Sequence, residues 1–328
     1  MSYNPFSTLL DPAILFFFFG LFAGAVRSNL SIPPAIVKFL SLYLLMAIGF
    51  KGGVSMASAG LTWGMVAALS VALFMAFLVP AYTYWFLRSR LSTFDAAAIA
   101  ATYGSVSAVT FIAAVAFLEQ QGVAFGGYMA VALVLMESPA IIMAVLLANM
   151  ARSRNPATSG DAAAMPSAGK ILHEAFTDGA HLLLLGSLAI GFITGDAGKK
   201  VMDPFTGNIL KGMLAFFLMD MGLLVASRIR ELRLNAKVLA AFALVAPLIN
   251  ASIALALAYA LGLGAGDAFL LAVLSASASY IVVPAVIRYA IPEANPSLYF
   301  SMSIAMTFPF NITLGLPLYF AAVTWLWS

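Results

Sequence analysis

The chain has 328 residues, of which 63% are hydrophobic and 9% are charged, whereas a soluble domain carries about 25% charged residues. This composition excludes a water-soluble globular protein, and the absence of cysteine from the sequence excludes a disulfide framework and a thiolate nucleophile. The formal net charge of +3, with no basic run alternating with aromatic residues, excludes a nucleic-acid-binding surface.

Ten apolar segments, each bounded by charged or turn-forming residues, predict ten membrane-spanning helices, because a helix needs about 20 apolar residues to cross a bilayer. The first segment has neither a basic flank nor an early cleavage site, so we interpret it as a retained span. The predicted fold class is therefore an all-α polytopic membrane protein. The predicted spans are 12–26, 33–50, 61–87, 94–118, 127–150, 178–194, 205–226, 238–262, 267–290 and 297–327.

The distribution of basic residues predicts the orientation of the chain. If both termini lie outside the cell, the inner connections hold twelve of the sixteen Lys and Arg residues, and the outer connections hold four, Lys51 among them. Since basic residues favour cytoplasmic loops, we predict a multi-pass protein of the bacterial plasma (inner) membrane with both termini outside. The run from Arg228 to Arg233 belongs to this orientation signal, and its alternative role is to bind a partner.

A polar stretch near the middle divides the sequence into two similar halves. Residues 1–155 form the first predicted five-helix repeat, residues 156–172 a cytoplasmic linker, and residues 173–328 the second five-helix repeat. Because each half crosses the membrane an odd number of times, the second half is inverted relative to the first, an architecture typical of transporters. The clearest matches, at an offset of 172, join Asp95 to Asp267, Ser105 to Ser277 and Ser107 to Ser279.

Spans four and nine carry polar residues in mid-span at corresponding positions, which predicts two broken helices and a binding site. A helix that restarts inside the membrane directs free N–H groups and a positive dipole end at an anion, and the end of the preceding half offers carbonyls to a cation. The alternative is that these small residues only permit close helix packing. The substrate-binding candidates are Gly104, Ser105, Val106, Ser107, Thr110, Ser275, Ser277, Ala278 and Ser279.

Glu137 lies well inside span five, where a carboxylate needs a partner, a proton or a bound ion. We predict a Na+ site around it, with no other metal and no cofactor. Asn311 is a predicted cation ligand whose alternative role is to form hydrogen bonds between helices. For Asp220, the alternatives to cation binding are to bind a proton or to pair with a residue on another helix. The cation-binding candidates are Thr102, Glu137, Ser138, Asp220, Thr307 and Asn311.

Four further polar residues have more ordinary interpretations. Asp95 and Asp267 open their spans, where an aspartate ordinarily caps the helix. His173 and His181 are predicted at the membrane interface, eight residues apart, which is not a metal-ligand spacing, and little supports a pH-sensing role for them. The sequence has no phosphate-binding loop, paired-histidine motif or nucleophile elbow, so we expect that the protein is not an enzyme.

Several ordered motifs resemble those of the SbtA-type sodium-dependent bicarbonate transporters, first known from cyanobacteria, and the resemblance runs nearly end to end. It implies a bicarbonate and Na+ symporter with core and gate domains, two crossing broken helices that bind the anion, an elevator-like movement and a homotrimer. It also implies, as for some members, a PII-like cytoplasmic regulator similar to SbtB. The motifs are Gly104-Ser-Val-Ser-Ala-Val-Thr110, Met136-Glu-Ser-Pro-Ala140, Ser227-Arg-Ile-Arg-Glu-Leu-Arg233 and Ile291-Pro-Glu-Ala-Asn-Pro-Ser297.

Three departures mark this chain as a divergent member that does not look cyanobacterial. The run Ser277-Ala-Ser-Tyr280 stands where the cyanobacterial proteins have Ser-Ser-Ser-Asp, Glu137 stands where they have Asp, and the central linker is shorter. Alternatives to Na+-coupled bicarbonate import therefore stay open. They are a Na+- or proton-coupled carrier of another small or organic anion, as in the broadly similar bile-acid and auxin-carrier folds, and an anion channel or a membrane sensor.

Overall fold

The computed structural model describes residues 10–60, 62–154, 179–231, 237–280 and 282–328. These residues form helices, and no β-strand occurs among them. Six helical stretches in this part of the chain are long and apolar enough to cross a membrane, and two shorter apolar helices accompany them. The predicted all-α, multi-pass membrane protein is thus confirmed, whereas the ten-span inverted repeat stays a prediction. The predicted linker and His173 lie outside the described residues.

The helices are numbered along the described chain, and α7 and α12 are irregular. Helix α7 turns at Gly195, whose φ is 51°, and continues through a π-helical turn at Pro204–Asn208 into α8. Helix α12 contains the π-helical stretches Ser303–Thr307 and Asn311–Gly315. The helices are α1 Pro12–Ala25, α2 Pro34–Ala59, α3 Trp63–Leu87, α4 Thr93–Gly104, α5 Ala108–Gln121, α6 Met129–Arg154, α7 Gly179–Asp203, α8 Ile209–Glu231, α9 Lys237–Ala260, α10 Ala265–Ala276, α11 Val282–Ala290 and α12 Pro296–Leu326.

Local sequence signals set several helix ends. The Asp11 carboxylate accepts a hydrogen bond from the Ala13 N–H at 2.8 Å and caps α1, and the Thr62 hydroxyl caps α3 in the same way. Helix α5 ends at Gly122, whose φ of 66° is the left-handed conformation that glycine adopts without a steric penalty. These ends need no tertiary contact to explain them.

Helix α2 is longer than the predicted span 33–50. It continues to Ala59 and ends at Gly60, whose φ is 68°. The extra turns contain Lys51, which the sequence analysis placed in an outer connection. The Lys51 ammonium lies 2.7 Å from the Glu119 carboxylate on α5, so this charge is paired beside the helix and does not end it.

Glycines allow α2 and α7 to pack at a short distance. A Cβ atom at Gly53 would lie 1.9 Å from the Leu188 carbonyl oxygen, and one at Gly191 would lie 2.1 Å from the Phe50 carbonyl oxygen. Helix α1 packs on α8 through glycines in the same way. Small residues at such contacts are typical of membrane helices, since association there depends on close van der Waals packing.

The described helices pack as two groups. Helices α1, α2, α7 and α8 contact one another most and form the four-helix group, and α3 to α6 with α9 to α12 form the eight-helix group. The two groups touch mainly where α2 meets α5 and α6 and where α8 meets α12. Since α4, α5, α10 and α11 contain or flank the candidate site, this site belongs to the eight-helix group.

Candidate functional site

Two helical segments are interrupted at buried serines. Helix α4 ends at Gly104 and α5 begins at Ala108, and Ser105 between them has an extended backbone with φ −94° and ψ 175°. Helix α10 ends at Ala276, and Ser277 follows with φ −79° and ψ 164°. Serine side chains compete with a helix for backbone hydrogen bonds. The interruptions therefore leave backbone N–H and carbonyl groups available inside the protein.

The two interruptions are hydrogen-bonded to each other. The Ser107 N–H donates to Ser277 Oγ at 2.9 Å, and Ser277 Oγ donates to the Leu274 carbonyl at 2.8 Å. In the other direction, the Ser279 N–H donates to the Thr102 carbonyl at 2.8 Å. These contacts bring together residues about 170 positions apart, so the predicted substrate-binding residues of spans four and nine form one cluster.

Two helices, α5 and α11, begin at this crossing. The Ser107 Oγ accepts a hydrogen bond from the Thr110 N–H at 3.2 Å and caps α5, and the Ser279 Oγ accepts one from the Val283 N–H at 3.3 Å at the start of α11. The first N–H groups of a helix have no partner within the helix. Together with the positive end of the helix dipole, they favour an anion at this position.

A small cavity lies beside the crossing, between the two helix groups. Its volume is about 80 Å³, and a water molecule in the liquid takes about 30 Å³. Ala108 and Val109 at the start of α5 form part of its wall, so the first turn of that helix faces the space. We call it the central cavity. Its polar lining residues are Ser41, Ser107, Glu137, His181, Ser279 and Tyr280.

Glu137 has a partner that the sequence did not indicate. Its carboxylate contacts the Nε2 atom of His181 on α7, and each of the two residues is only 6% exposed. The sequence placed His181 at the membrane interface, and that depth stays a prediction, whereas the structure shows its side chain buried at the central cavity. A carboxylate inside a membrane protein requires such a partner, but nothing in the local pattern around residue 181 identified it.

Three predicted cation ligands make interhelical or local hydrogen bonds. Thr307 Oγ1 donates to the Ala243 carbonyl at 2.8 Å, and Thr102 Oγ1 donates to the Ala98 carbonyl at 2.9 Å. Asn311 donates through Nδ2 to a carbonyl on α10 at 2.9 Å and accepts the Tyr319 hydroxyl at 2.8 Å. Asn311 therefore has the interhelical role that we named as its alternative.

Two serine hydroxyls near the crossing have no hydrogen-bond partner within the described part of the chain. They are Ser105 Oγ and Ser275 Oγ, on residues that are 1% and 2% exposed. A buried hydroxyl without a partner is unfavourable unless a water, an ion or a ligand satisfies it. These two oxygens can therefore accept a water, an ion or a ligand near the crossing.

The remaining candidates are less central. Asp220 is half-buried on α8, and the sulfur of its neighbour Met221 accepts a hydrogen bond from the Tyr280 hydroxyl at 3.5 Å. Gly104 packs against α3, because a Cβ atom there would lie 2.7 Å from the Pro80 ring. The side chain of Ser138 lies outside the described residues. Val106 lines the central cavity, and Ala278 is buried near it.

Asp267 does not cap its own helix, and the cap prediction is wrong for this residue. Helix α10 begins after Gly264 without a side-chain cap, and the Asp267 carboxylate instead accepts the Gly126 N–H at 2.6 Å and the Tyr128 hydroxyl at 2.5 Å. The start of the second interrupted segment is thereby fixed to the loop before α6.

Asp95, at the start of the first interrupted segment, likewise accepts a hydrogen bond from a loop in the other half of the chain. Ser92 is the N-cap of α4, and its hydroxyl donates to the Asp95 carboxylate at 2.7 Å. The other carboxylate oxygen of Asp95 accepts the Asn295 N–H, at the loop before α12, at 2.7 Å. Each interrupted segment is therefore attached to the loop that precedes the last long helix of the other half.

The fold and the site define a class of protein. A multi-pass helical membrane protein with two interrupted helices that meet at a small buried cavity has the arrangement by which carriers hold small ions. The family model of the Na+-dependent bicarbonate transporter superfamily matches residues 12–324. The chain therefore belongs to that superfamily, and the resemblance to the SbtA-type transporters is confirmed. A comparison with curated proteins finds no match.

Proposed function

We propose that the protein imports bicarbonate into a bacterial cell by symport with Na+. Family membership supports the substrate and the ion, and the observation that carries the proposal is the crossing at Ser107 and Ser277 beside the start of α5. Bicarbonate is a small planar monoanion with one hydrogen-bond donor. The first N–H groups of α5 and the serine hydroxyls offer donors to its oxygens, and nearby carbonyls accept its O–H.

Na+ supplies the positive charge of the proposed site. Among the described lining residues of the central cavity there is no Lys or Arg, so a cation bound close by would offset the charge of the anion. The hydroxyl oxygens of Ser105 and Ser275 and the carbonyls at the ends of α4 and α10 are the ligands that we propose for it, because hard cations prefer oxygen ligands.

The two helix groups suggest how access to the site alternates. In this proposal the eight-helix group is the core domain, and it carries the anion past the four-helix group, which is the gate domain, in an elevator-like movement. The central cavity lies between the groups and is lined by both. The two inverted five-helix repeats, residues 1–155 and 173–328, would provide equivalent inward- and outward-facing states.

Cavity size favours a small anion over a large organic one. A volume of about 80 Å³ is well below the 300–1,000 Å³ that is usual for pockets of drug-sized ligands. Orientation with both termini outside, trimerisation and binding of an SbtB-like regulator at the cytoplasmic face complete the proposal. We also propose that the protein is not an enzyme.

The test is uptake of labelled bicarbonate into proteoliposomes, with and without an inward Na+ gradient, at a pH where CO₂ leakage is low. We expect concentrative, saturable uptake that depends on Na+. Ser107→Ala should raise the KM about tenfold, because it removes a hydrogen-bonding group at the anion site. Ser70→Ala, an exposed serine on α3 that does not line the cavity, is the matched control and should resemble the wild type.

Each alternative function has its own outcome in this experiment. No uptake above empty liposomes, from protein shown to be folded, would overturn bicarbonate as the substrate. Flux that never exceeds the equilibrium distribution would indicate a channel. Bicarbonate binding without any flux would indicate a sensor.

A further inference from the structure

An open apolar groove runs between α3 and α9 on the eight-helix group. Its volume is about 700 Å³, and it is lined by residues of α3 and the turn after it, from Leu78 to Arg90, and by residues of α9 from Val238 to Ile253. Aliphatic and aromatic side chains form most of its wall, and Ile249 among them is 46% exposed. We call it the α3–α9 groove. It is distant in sequence from the interrupted helices and is not part of the central cavity.

Contacts between α3 and α9 hold the groove in place. The Tyr82 hydroxyl donates a hydrogen bond to Asn250 Oδ1 at 2.5 Å, and the rings of Phe86 and Phe242 stack with centroids 5.9 Å apart. These two contacts pair the last turns of α3 with the first turns of α9, so the helices are antiparallel. The groove is therefore continuous along both helices, and its charged end is where α3 ends and α9 begins.

The length of the groove matches one leaflet of a bilayer. The step from Leu78 to Arg90 covers about 18 Å at about 1.5 Å per residue, and half of a hydrocarbon core is about 15 Å thick. Helix α3 has 25 residues and is about 38 Å long, so its end, next to Arg90, lies at the level of the lipid headgroups. An acyl chain can therefore lie in the groove with its headgroup beside Arg90.

Positive charge is confined to the headgroup end of the groove. The Arg90 guanidinium lies 4.1 Å from the centre of the Phe86 ring, and its Nη1 donates to the Phe86 carbonyl at 2.8 Å. A guanidinium has five N–H donors, so others are available to a phosphate. Lys237, the first residue of α9, is exposed at the same end. No carboxylate lines the groove within the described part of the chain.

We propose that the α3–α9 groove binds an anionic phospholipid, with one acyl chain along the groove and the phosphate at Arg90. Charge complementarity favours this occupant over a second copy of the chain, because an apolar slot with cations only at its headgroup end matches an anionic lipid in both its parts. In the predicted orientation, this lipid belongs to the cytoplasmic leaflet. The proposal does not depend on which ion the central cavity binds.

The test is photochemical labelling in proteoliposomes made mainly of phosphatidylcholine. A trace of phosphatidylglycerol that carries a diazirine in its acyl chain is activated by light, and peptide mass spectrometry locates the labelled residues. We expect labels to concentrate on residues 78–90 and 238–253. The same diazirine chain on phosphatidylcholine should label these residues at least about fivefold less, and unlabelled phosphatidylglycerol should compete with the charged probe.

Matched variants test the charge and the groove separately. Arg90→Gln should lower labelling of the groove by phosphatidylglycerol about fivefold, which is the effect of one basic residue near a membrane surface. Arg88→Gln removes an equally exposed charge that does not line the groove and should label like the wild type. Ala241→Phe fills the groove and should also lower labelling, whereas Ala81→Phe, at an exposed position of α3 outside it, should not.

Three outcomes would overturn the inference. They are equal labelling of the groove by the two lipid probes, equal losses in Arg88→Gln and Arg90→Gln, and efficient bridging of two copies of an Ala241→Cys variant by a bismaleimide, which would identify a second copy as the occupant. Gel filtration establishes that each variant is folded. If a variant is not folded, the comparison of the two probes on the wild type decides. Loss of bicarbonate uptake refutes only the proposed function, because labelling is measured without transport.

Discussion

At the scale of single residues, Asp267 has a larger structural role than its position at a helix start indicates. It is 8% exposed and accepts two hydrogen bonds from the segment before α6. Hydrogen bonds to a charged group contribute more than neutral ones, and removal of the acceptor leaves buried donors without a partner. Its counterpart Asp95 makes a similar contact in a more exposed setting.

We therefore predict that Asp267→Ala lowers the free energy of unfolding by about 3 kcal/mol, and that Asp95→Ala lowers it by about 1 kcal/mol. The physical reason for the difference is burial, since water replaces the lost acceptor at Asp95 more readily. Thermal unfolding of the purified variants in detergent measures both changes. Equal losses of stability would show that burial of Asp267 does not matter.

At the scale of helices, α2 and α7 pack closely because the glycines at their contact have no side chain. The backbone of α7 at Leu188 occupies the space where a side chain at Gly53 would lie. Gly186 on the same helix α7 has no atom within 4 Å of its Cβ position. The two glycines thus differ in what a methyl group would meet, although both are helical.

The prediction is that Gly53→Ala separates α2 from α7 and costs about 1–3 kcal/mol of stability, as overpacking typically does. Gly186→Ala is the matched control and should unfold at the wild-type temperature or above, because alanine favours a helix more than glycine does. Thermal unfolding compares the two. If both variants unfold at the same temperature, the close packing seen at Gly53 is not required.

At the scale of the whole molecule, two pairs of an acidic and a basic side chain join the helix groups within the described part of the chain. One is Glu137 with His181 at the central cavity, and the other is Lys51 with Glu119. The second pair borders a larger cavity of about 470 Å³ between α2, α5 and α7. Because Lys51 and Glu119 are each about one third exposed (32% and 29%), their ion pair contributes less than about 1 kcal/mol. Such a weak contact is compatible with groups that move relative to each other.

This arrangement predicts that a covalent bridge across the boundary stops transport. The chain has no cysteine, so Lys51→Cys and Glu119→Cys introduce the sole thiols, and a short bifunctional methanethiosulfonate reagent joins them. Bicarbonate uptake should be lost on bridging and should return after reduction. Each single-cysteine variant treated with the same reagent is the control. Full uptake by the bridged protein would contradict movement of the eight-helix group past the four-helix group.

The sequence by itself determined the class of protein and the place of its interruptions. Apolar runs of about 20 residues define membrane helices through the cost of exposing backbone to lipid, and this is a local property. Polar residues in mid-span are equally local, so the serines at 105–107 and 277–279 were found as one predicted site. Helix caps such as Asp11 and Thr62 are also predictable, because each cap bonds an N–H group only two or three residues further along the chain.

Only the tertiary structure decided which distant groups meet. His181 contacts Glu137 across 44 residues, and Asp267 contacts Tyr128 across 139 residues. Such contacts leave no periodicity in the sequence, because they depend on how whole helices are placed. The length of α2 is another case, since Lys51 is accommodated by Glu119 on a different helix. The local pattern predicts where a polar group is needed, and the packing of the helices selects its partner.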